Sequence, residues 1–350
     1  MASYLFILSI SGLIALTSAV YNIEKYRTFL ILLLFITTSL FIGLRHEEIG
    51  PDWFTYKELF LNMENFNFLH SITIGDPAYF GIMWILRYLG FDVVSMNILF
   101  SVMTVGFYVK FCSEQKFSYL AFFVGLPFLI IYTMNFPRQA IAMVIGGYAI
   151  FHALNNERVR ALIWILIAVL FHKTAIIYLV FLFDNIKKLK LKNIILISAF
   201  GLLSFYLFIF SHLQGYIHNF SILMQSNAAH LKGIVYLLPV LTYLVFYKNI
   251  QPTFNTTEST IINRFCIICI ISYAALFSSS FLYNAIDRIY VYFLPFEIMI
   301  FATYIARAVK RDQMIIYISS LVIYKFLLLY LWLEFSYNSI HFIPYSIHNI

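Results

Sequence analysis

Ser118–Leu154 reads SYLAFFVGLPFLIIYTMN, then Phe136, then PRQAIAMVIGGYAIFHAL. Two apolar runs stand back to back, and each is 18 residues long. Wound as a helix, such a run is ~27 Å long, close to the ~30 Å of hydrocarbon in a bilayer. Pro137 suits the first turn of a helix, so the second run starts there. Arg138 then falls in that first turn, where a cation opposes the helix dipole. It wants an anion nearby; the plainer alternative is a side chain snorkelling to lipid headgroups.

Comparable runs recur along the whole chain. The candidate spans are 3–21, 28–44, 93–110, 118–135, 137–154, 193–211, 233–248, 261–281, 288–306 and 313–333. Of the 350 residues 62% are hydrophobic and 11% charged, about half the charged share of a soluble domain. In lipid the backbone must satisfy its own hydrogen bonds, so apolar runs of this length become helices. The short alternating segments of a membrane barrel are missing. The expectation is an all-α, polytopic membrane helix bundle: a single integral membrane domain over 1–350. The first run lacks a basic flank and is read as a retained helix rather than a signal peptide.

Lys and Arg mark cytoplasmic loops. Lys25 with Arg27, Lys110 with Lys116, Arg158 with Arg160, the lysines at 187, 188, 190 and 192, and Arg307 with Lys310 and Arg311 do so here. Adding Lys248 and Arg264 at helix ends, 15 of the 23 basic residues lie inside. That arrangement leaves 77–91 beginning and ending outside, and makes 155–192 leave the cytoplasm and return. The bundle then has about ten full spans plus two short broken or re-entrant elements, the second with its tip near His172. The alternative is one ordinary span at 161–183 with the lysine cluster outside. The outer face collects a 45–76 loop with an amphipathic helix, a 212–232 loop carrying His212, His218 and His230, residues 282–288, and the tail. Those three histidines are too widely spaced for a metal site. Basic residues scattered between apolar runs, net +7, do not suggest nucleic acid. Cys266 and Cys269 are read as two small hydrophobes on one helix face.

Charged residues at membrane depth are costly and usually face protein or water. Arg45, Asp52, Asp76, Arg138, His172 and Arg288 all sit at the ends or breaks of apolar runs on the outer face. Gly50-Pro51 makes a turn, and Asp52 can cap the helix that starts near Trp53, with Tyr56 on the same face. Asp76 before Pro77 is equally a good N-cap. Asp287 beside Arg288 reads as a local ion pair. Glu297 and Lys325, each in mid-span, can pair across neighbouring helices. Arg264, Lys248 and Arg311 read as inside-loop charges. Arginines gathered on one face suit a polyanion, because the guanidinium fork matches phosphate oxygens. Soluble nucleotide-binding loops are missing. A lipid-linked pyrophosphate fits better, its apolar tail lying between helices.

The ordered polar motifs resemble those of the EpsG family of exopolysaccharide and O-antigen polymerases, the Wzy-like group. The carrying residues are Gly50-Pro51-Asp52 with Tyr56, Asp76-Pro77-Ala78-Tyr79, Arg138-Gln139 with Ala142, His172 with Thr174-Ala175, Arg288 before Tyr292-Phe293, and Pro344-Tyr345. Pro51 stands where the family has Thr, Asp76 where it has Glu, and Ala78 where it has Gly. The resemblance implies a GT-C-like helical architecture in a bacterial inner membrane. It implies polymerisation of oligosaccharide repeat units carried on undecaprenyl pyrophosphate, on the outer face, with a pyrophosphate leaving group. The partners implied are that lipid-linked substrate, membrane lipids, a chain-length regulator and a flippase. His172, Asp52 and Arg138 are the expected catalytic set, with either His172 or Asp52 as the base. Arg45, Arg288, Tyr56, Gln139, Asp76, Tyr79 and Lys173 are expected to bind pyrophosphate or sugar. No cofactor or metal is expected. The rival readings are a flippase for the same lipid-linked sugar, and a glycan ligase or acyltransferase.

Overall fold

The computed structural model describes residues 1–182, 228–278 and 282–348. Its helices are α1 (Ala2–Val20), α2 (Arg27–Gly43), α3 (Trp53–Asn62), α4 (Phe68–Thr73), α5 (Pro77–Tyr88), α6 (Val93–Ser113), α7 (Ser118–Asn135), α8 (Pro137–Leu154), α9 (Arg158–Phe171) and α10 (Leu179–Leu182). After residue 227 come α11 (Ala228–Val245), α12 (Tyr247–Ile250), α13 (Thr256–Ala275), α14 (Leu282–Val291), α15 (Leu294–Ala308) and α16 (Met314–Phe335). No sheet forms among the described residues; one antiparallel bridge ties Arg45 to Ile347 in the tail. Six helices are long and apolar enough to cross a membrane, or up to eight if each bent pair is one span. Their outward residues are apolar, among them Phe6, Phe29, Leu32, Ile271 and Ile323. A surface of that kind is stable against lipid and unstable against water.

The stretch 118–154 folds as its sequence requires. Phe136 alone separates α7 from α8, and Ala140 N–H bonds back to its carbonyl. Every residue of α7 is buried. It packs on α1, α2, α6, α8, α15 and α16, so it is the axis of the bundle.

Both odd elements of the charge pattern have a structural counterpart. Asn97 donates to the Gly43 carbonyl at 2.6 Å, and Arg27 to the Ser113 carbonyl at 2.9 Å. Helices α2 and α6 are therefore antiparallel, and 44–92 starts and ends at one end of the bundle. There α3, α4 and α5 lie, with Phe54, Leu69 and Tyr88 turned outward. Arg87 of α5 pairs with Glu64, and the Trp84 indole donates to the Phe66 carbonyl. At 12 residues α5 spans ~18 Å, too short to cross.

The second element breaks at His172, whose backbone is extended (φ −160°, ψ 120°). Beyond it a 3-10 turn, Lys173–Tyr178, runs back along α8. The Tyr178 hydroxyl donates to the Met143 and Tyr292 carbonyls at 3.0 and 3.1 Å. Its ring lies on Gly146, where an added Cβ would sit 1.9 Å from Tyr178 Cε2. Arg264, expected to be an inside-loop charge, lies within α13 and donates to the carbonyls of Val180 and Phe181 in α10. The path beyond Leu182, the expected span 193–211 and the lysine cluster lie outside the described residues, as do His212 and His218. Gly146→Ala should push the Tyr178 ring off both carbonyls. Overpacking of this kind costs about 1–3 kcal/mol, so thermal unfolding in detergent should shift to lower temperature.

Two boundaries move. The expected span 288–306 begins earlier, at Leu282, and is bent by 46° between α14 and α15. Pro295, which lacks an N–H, sits at the start of α15 and breaks the hydrogen-bond ladder there. The expected span 233–248 is α11 from Ala228, so residues 228–232 of the expected outer loop are helical. His230 packs its ring on Phe277 and Tyr283.

The mid-span pair forms. Lys325 Nζ donates to Glu297 Oε1 at 2.6 Å, and both side chains are 0% exposed. Removing one partner of such a pair strands the other charge, at a cost of about 3–5 kcal/mol. Glu297→Gln should therefore cut the yield of folded protein sharply, and Glu297→Met with Lys325→Met should recover most of it. Equal thermal stability of the single variant and the parent would refute this.

Candidate active site

Asp52 and Asp76 both occupy N-cap positions, of α3 and α5, and neither side chain makes the capping bond. Caps normally satisfy an otherwise unpaired backbone N–H. These two carboxylates turn inward instead.

Asp76 Oδ2 accepts from Arg138 Nη1 at 2.8 Å and meets His172 Nδ1 at 3.0 Å. Its Oδ1 accepts the Lys173 backbone N–H at 3.4 Å. One carboxylate thus ties together the N-terminal end of α5, the first turn of α8 and the reversal after α9. Pro137 fixes that first turn of α8, and the His172 break brings the imidazole to the same level. Arg138 Nε donates to the Tyr56 hydroxyl at 2.9 Å, and the guanidinium lies over the Tyr56 and Phe80 rings. Its Nη2 has no hydrogen-bond partner among the described residues, and the side chain is 31% exposed. Tyr79 stacks on Phe100 at 3.9 Å and leans on Tyr56, so it backs the site rather than entering it.

A carboxylate only accepts, so His172 Nδ1 carries the proton shared with Asp76, and the Nε2 lone pair is left over. Nε2 is buried and has no partner among the described residues. Burial pushes the Asp76 carboxyl up. The His172 hydrogen bond and the nearby positive charges of Arg138 and Lys173 hold it below the usual carboxylate range. Asp52 goes the other way: burial raises its carboxyl, and Arg138 and Arg288 pull it only part of the way back. Asp52 is half-buried and its carboxylate makes no hydrogen bond among the described residues, so it lies near two guanidinium groups without closing on either.

Arg288 belongs to this neighbourhood by its effect on Asp52, and its backbone carbonyl accepts from Gln139 Nε2. Its expected ion pair with Asp287 is absent: Asp287 bonds Lys232 across to α11 at 2.8 Å. Thr174 and Tyr292 exchange a hydroxyl bond at 2.8 Å and fasten the reversal to α14's end. Arg45 departs from expectation. It is 2% exposed, donates to the Ile42 and Ile49 carbonyls, and lies over Trp53. Those bonds hold the turn that carries Asp52, so Arg45 acts as a brace. The face is also less one-sided than the sequence implied, since Asp76 answers Arg138 and Asp287 answers Lys232.

Sequence reasoning missed Lys232, Tyr178 and the two-sided use of Asp76. Lys232 was counted within a loop. A lysine one turn into an apolar run that starts at Ala228 was the available signal.

No curated protein and no solved structure matches the chain. The sequence model of the EpsG family matches residues 28–347. With nearly the whole length covered, the chain belongs to the EpsG family.

Proposed function

We propose that this membrane protein polymerises oligosaccharide repeat units carried on undecaprenyl pyrophosphate, at the outer face of the bacterial inner membrane. Its family points to a polysaccharide polymerase, and so to a transferase. The observation that carries the finer reading is the Arg138–Asp76–His172 cluster, a cation and a carboxylate-held imidazole at one end of the bundle.

In this reading a hydroxyl of the acceptor sugar attacks the anomeric carbon of the donor. A carbon–oxygen bond forms there, and the bond to the pyrophosphate breaks. The pyrophosphate leaves with the electron pair. Arg138, through its remaining Nη2, and Arg288 meet the charge that develops. Tyr56 and Asp76 hold Arg138 in place beforehand, so little reorganisation is needed during the reaction. The hydroxyl proton passes to His172 Nε2. Asp76 fixes the tautomer and stabilises the imidazolium that results. Asp52, uncapped and facing both arginines, orients the acceptor. Arg45 has no direct part.

Deleting the gene in its own host and running surface polysaccharide on a gel tests the reading. Single repeat units should replace the ladder. Loss of all glycan, repeat units included, would instead point to a flippase or an earlier step.

A further inference from the structure

A second polar group lies on the other side of the wall that carries Arg138 and Arg288. Lys232 Nζ sits 2.8 Å from both oxygens of Asp287. The ammonium lies over the Tyr132 and Phe136 rings, at 5.6 and 5.5 Å. The Lys232 and Asp287 side chains are 16% and 11% exposed and Asp287 Oδ1 is buried, so the pair is recessed. Behind it, Tyr132 and Tyr236 share a hydroxyl bond at 3.1 Å, and Tyr236 stacks on Tyr290. The Tyr290 hydroxyl is buried with no partner among the described residues. Neither ion is explained by the chemistry assigned to Arg138 and His172.

Two chain connections tie this group to the first site. Phe136, under Lys232, is two residues from Arg138. Asp287 is followed directly by Arg288. The two sites therefore share one partition, made of the start of α8 and the middle of α14.

The chemistry of the pair selects its ligand. A diphosphate would gain from Lys232 and be repelled by Asp287, so a net-neutral pair is a poor anion site. A polyol both donates and accepts. Its hydroxyls can give protons to the carboxylate and take them from the ammonium, as charge-assisted hydrogen bonds. Aromatic faces beside a few convergent polar groups are what a small-molecule site uses to hold an apolar surface and fix its orientation. The C–H face of a pyranose ring supplies that surface. We infer that Lys232, Asp287 and Phe136, backed by the buried Tyr132 ring, form a carbohydrate subsite that holds the acceptor end of the glycan next to the reacting centre. The assignment to the acceptor rests on the polymerase reading; the existence of a sugar site does not.

The test is direct binding of the lipid-free repeat-unit oligosaccharide, released from the host polysaccharide, to the full chain in nanodiscs. Saturation-transfer NMR reads contact, and calorimetry reads affinity. The parent and Arg138→Gln should bind alike. Asp287→Asn should bind roughly tenfold more weakly, as expected when a hydrogen bond to a charged group is lost. Lys232→Asp combined with Asp287→Lys keeps an ion pair across α11 and α14 but inverts its geometry. It should melt near the parent temperature and still bind weakly. Recovery of full binding in that double variant, or unchanged binding in Asp287→Asn, would make the pair a structural clip and overturn the subsite. So would failure of the parent to bind. If oligosaccharide binds at this pair while Arg138→Gln leaves the glycan ladder intact, the sugar site stands and the polymerase mechanism falls.

Discussion

Arg138→Gln is expected to replace the glycan ladder with single repeat units at unchanged protein level. Gln keeps most of the side-chain length and can still reach the Tyr56 hydroxyl, but it carries no charge for a departing pyrophosphate. Losing one preorganised group at a developing anion typically slows reactions about 10²–10³-fold. Polymerisation compounds that loss, because every added unit needs the same step. Lys at the same place should rescue poorly. Its ammonium is a point charge and cannot bond Tyr56 and Asp76 while leaving a third nitrogen for a phosphate oxygen. Removing the guanidinium also leaves the Asp76 charge less well paired, so the protein level must be measured alongside the glycan. Normal chain lengths in a well-expressed Arg138→Gln protein would remove Arg138 from the chemistry.

His172→Gln is expected to be comparably severe, through a different step. A positioned proton acceptor is worth about 10²–10⁴-fold in rate. Asp76→Asn provides the comparison that separates roles. An amide offers the imidazole a neutral partner in place of a charge, and it also releases Arg138. If His172 is the base, both variants should lower turnover with little effect on donor affinity. Both should also respond to pH differently from the parent. If Asp52 is the base instead, Asp52→Asn will be the silent enzyme and His172→Gln will keep measurable turnover. A purified protein given donor and a lipid-free acceptor decides this, because product is then counted per enzyme rather than per cell.

The helical spans were legible because one rule dominates in lipid: backbone polar groups must pair within the segment. The limits of α7 and α8 could be read directly from Ser118, Asn135, Pro137 and Leu154. The reversal at His172 was legible from loop lysines and the shortness of the run, although nothing in its own residues dictates an extended backbone there. Bends were harder. Pro295 lies inside an apolar run, and composition cannot separate a kinked span from a straight one.

Side-chain partners were the least legible. Asp52 and Asp76 fit the local signature of helix caps, and neither caps: Asp76 bonds Arg138 and His172 from distant helices instead, and Asp52 lies near arginines without bonding either. Asp287 and Arg288 are neighbours in sequence but point to different partners, since successive residues on a helix face different ways. Arg45 was legible as an embedded cation and not as a brace, because the carbonyls it bonds belong to the backbone and leave no trace in residue types. Only Glu297 with Lys325 was paired correctly in advance, because burial in mid-span leaves each ion so few alternatives.

Because Asp76 joins three segments, it also sets an order of events at the ribosome. A nascent chain inserted only as far as α8 already holds Asp76 and Arg138, but no imidazole has emerged. On the proposed mechanism with His172 as base, such an intermediate would have the cation for the leaving group but not the imidazole for the proton. With that base, competence would arrive only when α9 and its reversal dock.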